Sequence, residues 1–251
     1  MSKFNFTNRS GLKLTANLEK PDAAAPRATA LFAHCFTCGR DIRGAREITR
    51  ALADEGFAVL RFDFTGLGES EGDFADTSFS SNLDDLEDAA GWLSDHLGAP
   101  SLLVGHSLGG AAMLAVAERL HSARAVVTVG APSTPINVLR QFGEDGLAEI
   151  MQEGCATVQL AGRSFRVRQD FIEDAKRHDL DARLKNLDRA LLVMHSPLDR
   201  VVAIEHAQRV FAAAKHPKSF ISLDQADHLL SSTDDARYAA RVIAAWSSRY
   251  L

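Results

Sequence analysis

The segment that organises the sequence is Ser101-Leu102-Leu103-Val104-Gly105-His106-Ser107-Leu108-Gly109-Gly110, which leads into the apolar run 111–117. This pattern predicts a short buried strand, a very tight turn and a helix, in that order. Gly105, Ser107 and Gly109 form G-x-S-x-G, the sequence of a sharp strand-to-helix turn with a serine at its tip. Bulky side chains in place of the glycines would collide with the neighbouring strand or helix. The turn therefore lifts the Ser107 hydroxyl clear of the sheet, at a helix N-terminus that favours negative charge.

The surroundings of this motif make it more specific. Glycine and serine are common enough for G-x-S-x-G alone to occur by chance in about one chain in ten of this length. Such a chance match would be only a glycine-rich turn before a packed helix. Here the motif lies between an apolar strand and an amphipathic helix, which is the context that a nucleophilic serine requires. We therefore predict that Ser107 is a nucleophile.

Composition and charge limit the classes of protein to consider. The chain has 251 residues, of which 46% are hydrophobic and 24% charged, and this suits one α/β domain with a sizeable core. Its formal net charge of -5 argues against nucleic acid or an anionic membrane as a partner. Because no apolar segment resembles a signal peptide or reaches transmembrane length, we expect a cytoplasmic protein. We also expect it to act as a monomer or homodimer.

The three cysteines, Cys35, Cys38 and Cys155, are too few for a disulfide framework. No paired Cys or His cluster has the spacing of a metal site, so we expect neither a metal nor another cofactor. Cys35-Phe36-Thr37-Cys38 has C-x-x-C spacing, but a redox motif of this kind would open a helix in a thioredoxin-like unit. We favour pocket-lining thiols that can be oxidised or alkylated, with redox catalysis as the alternative.

Apolar runs alternate with helical patterns, and this alternation predicts the fold class. Residues 4–18 alternate apolar and polar side chains around a turn at 8–11, which predicts an antiparallel hairpin followed by an Ala/Pro connector at 21–26. Continuous apolar runs predict buried strands at 28–34, 58–64, 102–105, 125–129, 190–194 and 220–223. Helical patterns lie at 43–55, 82–97, 108–121, 203–214 and 234–248. We therefore predict an α/β fold, with a mostly parallel twisted sheet flanked by helices and the hairpin at its antiparallel edge.

Residues 134–187 interrupt this alternation. They are more polar and include a small hairpin at 157–160 and 165–167, around the turn Ala161-Gly162-Arg163. We interpret them as a small cap insertion over the strand ends, within a single domain spanning residues 1–251. The predicted substrate pocket combines Cys35 and His106 with side chains of the cap, namely Phe142, Leu147, Ile150, Met151 and Phe171.

A serine nucleophile needs a base to take its proton and an acid to orient that base. In a sheet of this type the two partners follow the serine in the order acid, then histidine, at the carboxyl ends of strands. Asp199 lies just past the strand 190–194, whereas the loop 130–133 after the preceding strand holds no carboxylate. His228 follows the last strand and comes after the acid. We predict Asp199 as the acid and His228 as the base, against the alternative that each is a solvated loop residue.

The remaining histidines fit the base less well. Surface or helix-end positions are assigned to His96, His121, His178, His206 and His216. His106 lies within the tight turn but faces away from Ser107, so we expect it to pack beside the site. His195 lies near Asp199 and could line the pocket.

Two backbone N–H groups are needed to bind the oxyanion that forms during acyl transfer. One is expected at Leu108, the residue after the nucleophile. The other is expected in the loop that follows the strand 28–34, where we choose Phe36 over its neighbours Cys35 and Thr37. Two groups of acids are expected to be structural: those of the loop 63–70 bracing backbone N–H groups, and those at 84–88 on a solvated helix face.

Three motifs carry a resemblance to a known family: His34-Cys35-Phe36, Asp63-Phe64-Thr65-Gly66-Leu67-Gly68-Glu69-Ser70 and Gly105-His106-Ser107-Leu108-Gly109-Gly110. They stand where the α/β-hydrolase superfamily has His-Gly-x, D-x-R-G-x-G-x-S and its nucleophile elbow, and the resemblance covers nearly the whole chain. More narrowly, FAHCFTCGRD and RFDFTGLGESEGDF look like bacterial hydrolases often fused to, or encoded beside, an OsmC-type domain. The resemblance implies the α/β-hydrolase fold and carboxylester hydrolysis. Cys35 departs from the usual glycine of the broad pattern.

The function expected from these residues is that of a serine esterase with a small-molecule acyl ester as substrate. Ser107 attacks, His228 moves the proton and Asp199 orients His228. A thioesterase or acyl-peptide hydrolase would use the same residues. An alternative of another class is a binding module that keeps the fold without turnover and senses oxidants through Cys35 and Cys38.

Overall fold

The computed structural model describes residues 2–22, 25–160 and 162–251. The strands, in chain order, are β1 (Ser2–Thr7), β2 (Lys13–Glu19), β3 (Ala28–Ala33), β4 (Phe57–Phe62), β5 (Leu102–His106), β6 (Ala125–Val129), β7 (Cys155–Leu160), β8 (Arg163–Arg168), β9 (Ala190–His195) and β10 (Lys218–Ser222). The α-helices are α1 (Arg43–Asp54), α2 (Phe79–His96), α3 (Leu108–Val116), α4 (Gly143–Glu153), α5 (Gln169–Arg177), α6 (Leu180–Asn186), α7 (Glu205–Ala213) and α8 (Thr233–Ser247). Short 3-10 helices span Phe74–Asp76 and Pro135–Phe142.

The main sheet confirms the predicted architecture. Within the described residues its eight strands follow the order β1-β2-β4-β3-β5-β6-β9-β10. From β4 to β10 every neighbouring pair is parallel, whereas β1 pairs with β2 and β2 with β4 in antiparallel register. The carboxyl ends of β5, β6, β9 and β10 therefore meet at one edge of the sheet, where α/β proteins bind their ligands.

Helices cover both faces of the sheet because its strands are apolar on both sides. In β5, Leu103 faces a cluster that includes side chains of α2, α3, α6 and α7. Its neighbours Leu102 and Val104 face the opposite cluster, which includes side chains of α1 and α8. This alternation follows from the two-residue period of a strand. In the described part of the chain, no helix is both long and apolar enough to cross a membrane.

The segment 134–187, predicted as a cap, lies between β6 and β9 in the chain and contains α4, the hairpin of β7 and β8, α5 and α6. The predicted small hairpin is confirmed by the antiparallel pairing of β7 with β8. Of its predicted turn, Ala161 lies outside the described residues, as do Ala23 and Ala24 of the predicted connector.

Two local predictions need correction. The helix expected over 108–121 ends at Val116, and the chain continues as a turn in which Val116 O accepts from Arg119 N and Leu120 N. Asp85, expected on a solvated helix face, is buried and accepts hydrogen bonds from Asn8 and Thr65. The prediction for the acids of the loop 63–70 is confirmed for Asp63, which accepts hydrogen bonds from the N–H groups of Arg40 and Glu69. The Glu69 carboxylate instead pairs with the side chains of Lys3 and Arg40.

Candidate active site

Ser107 lies at the sharp turn between β5 and α3, with φ 55° and ψ -127°. A non-glycine residue at positive φ is uncommon and strained, and such strain is concentrated at functional sites. The turn is this tight because its two flanking glycines allow close backbone contact. A Cβ on Gly105 would overlap the carbonyl of Gly109, and a Cβ on Gly109 would overlap the carbonyls of Ala33 and His34.

Three side chains predicted from separate strand ends form one hydrogen-bonded chain. Ser107 follows β5, Asp199 follows β9 and His228 follows β10. The Oγ of Ser107 lies 3.1 Å from Nε2 of His228, and Nδ1 of His228 lies 2.7 Å from Oδ2 of Asp199. Since a carboxylate only accepts, His228 donates to Asp199 through Nδ1, and its Nε2 is free to accept the proton of Ser107.

Asp199 is held in its ionised form by its surroundings. Its Oδ1 accepts from the N–H groups of Val201 at 2.8 Å and Val202 at 2.9 Å. Burial alone raises the pKa of a carboxyl, but the hydrogen bond and charge of His228, together with these two N–H groups, bring the pKa of Asp199 below its ordinary value. Gly130, at the end of β6, leaves the space beside Asp199 and His228 open because it has no side chain.

Two more histidines, His106 and His195, lie beside the Ser107, His228 and Asp199 side chains. The Nε2 of His106 lies 2.6 Å from the carbonyl oxygen of His228, and Nε2 of His195 lies 2.8 Å from that of Val202. Burial lowers the pKa of His106 to about 3 and lowers that of His195 as well. Both rings are therefore neutral at pH 7 and donate to main-chain carbonyls of the loops that carry His228 and Asp199.

A cavity of about 360 Å³ opens onto Ser107 and His228. Its other lining residues are Cys35, Phe36, Thr37, Cys38, Gln141, Gln159, Leu160, Val201 and Leu229. Cys35 was predicted to line this pocket, and it does. The cavity also has lining residues that the sequence did not predict, namely Thr37, Gln141, Gln159, Leu160, Val201 and Leu229. Val201 and Leu229 could have been found, since each lies within two residues of a predicted acid or base.

Six predicted pocket residues lie away from this cavity. Ile150 is fully buried, and Leu147 packs against the hydrophobic core. His106 is buried behind the site and is occupied by its hydrogen bond to His228. Phe142 and Phe171 are buried against the ring of Phe36, with ring centroids 6.1 Å and 5.5 Å away. Met151 is 45% exposed on α4. Phenylalanines at these positions therefore pack beneath the 35–38 loop instead of facing the cavity.

Cys35 and Cys38 form a disulfide, so they are not the free thiols that the sequence suggested. Phe36 lies between the two cysteines. No described residue accepts a hydrogen bond from the Phe36 N–H group. Leu108 is the first residue of α3, so its N–H has no partner within the helix. These two N–H groups are the ones predicted to bind an oxyanion.

The site holds no metal-binding cluster: within the described residues, no group of three or more His, Cys, Asp or Glu side chains could hold an ion. His178, expected at a surface or helix-end position, is buried and forms a hydrogen bond with Ser80. His206 bonds to Ser133.

Comparison with known proteins places the chain in a family. The model of the alpha/beta hydrolase family matches residues 30–241. The esterase domain of a Rhodothermus marinus protein is 45% identical, with a TM-score of 0.82, and the match covers 99% of this chain and 98% of that chain. Est1E of Butyrivibrio proteoclasticus, solved with ferulic acid bound, shares the fold at 19% identity, with a TM-score of 0.83 and 98% of each chain covered.

A curated relative from Mus musculus, the mitochondrial palmitoyl-protein thioesterase ABHD10, is 25% identical over 187 residues. That alignment covers 72% of this chain and 62% of the mouse protein, less than two thirds of its length. The matched family region contains Ser107, Asp199 and His228, and it spans most of the described sheet. The chain belongs to the alpha/beta hydrolase family.

Proposed function

We propose that this hydrolase is a serine carboxylesterase that cleaves small or medium acyl esters through a Ser107-His228-Asp199 triad. The observation that carries the proposal is the chain of hydrogen bonds from Ser107 Oγ through the His228 ring to Asp199. A serine hydroxyl becomes a nucleophile when a positioned base takes its proton, and the base works when an acid fixes its tautomer. The strained elbow and the open cavity in front of Ser107 support the same role.

The reaction follows from these groups in two halves. Ser107 Oγ attacks the carbonyl carbon of the ester while His228 Nε2 takes its proton, and Asp199 stabilises the imidazolium that forms. The N–H groups of Leu108 and Phe36 bind the negative oxygen of the tetrahedral intermediate. His228 then protonates the leaving alcohol, and an acyl group remains on Ser107. A water molecule, deprotonated by His228, releases the acid in the second half.

The segment 134–187 would act as the cap of this enzyme. Gln141, Gln159 and Leu160, all in this segment, line the cavity. Apolar side chains on the 199–201 and 228–229 loops complete the wall, so the cavity suits a substrate with an apolar part and one or two polar groups. The 45% identity to an esterase domain supports an ester as the substrate.

The test is labelling and turnover with a matched serine control. A fluorophosphonate should add one adduct to the intact mass of the wild type, and p-nitrophenyl esters from acetate to octanoate should turn over. Ser107→Ala should lose the adduct and at least about a thousandfold in kcat. Ser80→Ala is the control, because Ser80 also contacts a histidine and an aspartate, His178 and Asp174, but does not line the cavity.

A thioesterase is the second candidate, supported by the name of the mouse relative. An oxygen ester and a thioester with the same acyl group separate the two, because only the leaving group differs. A higher kcat/KM for the thioester would favour the thioesterase. Absence of both adduct and turnover would refute the esterase and leave the binding module that responds to oxidants through Cys35 and Cys38.

A further inference from the structure

The Cys35–Cys38 disulfide closes the turn that carries the Phe36 N–H. The N–H of Cys38 donates to the carbonyl of Cys35 at 3.2 Å, which makes residues 35–38 a four-residue turn. Its third residue, Thr37, has φ 57°. That position of the turn normally requires glycine or asparagine, because a β-branched side chain disfavours left-handed backbone. The turn therefore has a conformation that the local sequence does not favour by itself.

Three further contacts fasten the same turn. Nδ1 of His34 lies 2.8 Å from the carbonyl oxygen of Cys35, and the hydroxyl of Thr37 donates to the carbonyl of Phe36 at 2.7 Å. Arg163, which begins β8, donates to the carbonyl of Thr37. The disulfide is the covalent member of this set, and it joins the two ends of the turn directly.

The side chain of Phe36 is held independently of its backbone. Its ring packs against those of Phe74, Phe142 and Phe171, with centroid distances from 5.5 to 6.1 Å. Loss of the disulfide would leave this aromatic packing in place while the turn relaxes toward backbone angles that suit threonine. The group whose direction changes is then the main-chain amide of Phe36, while the aromatic side chains packed around its ring stay in place.

We propose that the Cys35–Cys38 disulfide is a positioning element of the hydrolytic reaction: it aims the Phe36 N–H at the oxyanion, so that its reduction by a dithiol lowers kcat. This proposal rests on the esterase function proposed above. An oxyanion donor acts on the transition state more than on the bound substrate, so the loss falls on kcat and leaves KM nearly unchanged. A misdirected donor should cost between about 10-fold and 100-fold in kcat.

The reduction balances with a small dithiol as the co-reactant. One thiolate of the dithiol attacks a sulfur of the protein disulfide and forms a mixed disulfide, and the other cysteine leaves as a thiolate. The second thiol of the reagent then displaces the first cysteine and closes the reagent into a cyclic disulfide. Two electrons and two protons pass to Cys35 and Cys38. Both cysteines line the cavity and Cys38 is partly exposed, so a small reagent can reach the bond.

The experiment compares oxidised and dithiol-reduced protein from one preparation. Intact mass verifies the gain of two hydrogen atoms, and kcat and KM are measured on p-nitrophenyl butyrate. Inhibition is measured with a trifluoromethyl ketone, which forms a tetrahedral oxyanion with the serine, and with the product carboxylate, which does not. We expect kcat to fall, KM to stay within about twofold, and ketone affinity to fall by the same factor as kcat. Reoxidation should restore both quantities.

Variants separate the disulfide from other thiol effects. Cys35→Ser/Cys38→Ser should behave as the reduced wild type and no longer respond to dithiol. Cys155→Ser removes the free cysteine of β7, which does not line the cavity, and should keep the full response to reduction. Thermal unfolding of each form confirms that the protein assayed is folded.

The outcomes distinguish the failure of each idea. Fully reduced, folded protein with unchanged kcat would overturn the positioning role while the esterase function stands. A loss of carboxylate affinity equal to the loss of ketone affinity would also overturn it, because that result means general loosening of the cavity. Oxidised protein without a Ser107 adduct or turnover would overturn the esterase function and this proposal with it.

Discussion

His106 donates a hydrogen bond from Nε2 to the main-chain carbonyl oxygen of His228 across 2.6 Å. The residue immediately before Ser107 therefore fixes the backbone of the residue that faces the Ser107 hydroxyl. Since a carbonyl only accepts, Nε2 of His106 carries the hydrogen, and burial keeps the ring neutral by lowering its pKa. This contact connects the elbow after β5 to the loop after β10 without involving the reacting atoms.

The first prediction concerns the acid stability of the fold. Burial lowers the pKa of His106 to about 3, against 6.5 for the ordinary side chain, so the unfolded chain binds a proton at His106 over a range where the folded protein does not. The free energy of unfolding should therefore fall as the pH decreases from 6.5 toward 3. His106→Gln, whose amide can still donate to His228, should make this slope shallower by up to about 1.4 kcal/mol per pH unit.

Urea denaturation from pH 7 to pH 4 measures this slope. His121→Gln is the control, because His121 is exposed and its replacement leaves the buried contacts of the protein unchanged. An identical slope for wild type and His106→Gln would contradict the role given to His106.

The second prediction concerns Asp199. In Asp199→Asn the amide oxygen can still accept from Val201 and Val202, so the loop should keep its fold. The amide nitrogen would then face Nδ1 of His228 and force the tautomer in which Nε2 carries the hydrogen. Such a ring cannot take the proton of Ser107, so kcat should fall between about 1,000-fold and 10,000-fold with little change in KM.

Steady-state kinetics on p-nitrophenyl butyrate tests this, with Asp224→Asn as the control. Asp224 lies four residues before His228 and accepts from Ser222 on the exposed side of the loop. Equal losses in the two variants would mean that neither carboxylate has a specific part in the reaction.

Much of the site could be predicted because its functional residues lie in short sequence patterns that can be recognised without knowledge of the fold. The elbow requires glycines two residues either side of Ser107, and the acid and base follow two apolar strands in a fixed order. The strands themselves are apolar on both faces, so their runs stand out without any knowledge of their neighbours. The fold class and the Ser107, Asp199 and His228 grouping therefore needed no tertiary information.

The features that were missed depend on contacts between distant parts of the chain. Asp85 lies in a helical pattern of acids, and only Asn8 and Thr65, from separate loops, make its burial tolerable. Phe142 and Phe171 were predicted to line the pocket, but their rings pack against that of Phe36. The pairing of Cys35 with Cys38 depends on the turn conformation between them, which the spacing of the cysteines does not determine.

The third prediction concerns the backbone space at the elbow. A Cβ at position 105 would overlap the carbonyl of Gly109, and backbone on both sides is held by the sheet and by α3. Gly105→Ala should therefore destabilise the protein by about 3 kcal/mol or more, and it should also lower activity because Ser107 moves.

Gly91→Ala is the matched control. Gly91 lies at an exposed position inside α2, and a Cβ there would meet nothing within 4 Å. Alanine should stabilise that helix by about 0.5 to 1 kcal/mol, because glycine loses more conformational freedom on folding. Denaturant unfolding of both variants compares them, and a Gly105→Ala protein as stable as the wild type would show that the turn has more room than its geometry indicates.

The fourth prediction concerns the acyl group. Val201 and Leu229 line the cavity beside His228 and are 49% and 45% exposed, whereas Leu198 is 57% exposed and does not line it. Removal of apolar area from water contributes about 0.8 kcal/mol for each methylene that is buried. Val201→Ser/Leu229→Ser should therefore lower kcat/KM for an octanoate ester by about 5-fold to 20-fold and leave kcat/KM for the acetate ester nearly unchanged.

Leu198→Ser is the control and should leave kcat/KM unchanged for the whole series of esters, since it removes a similar exposed apolar side chain from outside the cavity. A uniform loss across all chain lengths in the double variant would mean that these side chains position His228 and do not contact the acyl chain. An unchanged series would mean that the acyl chain contacts neither of them.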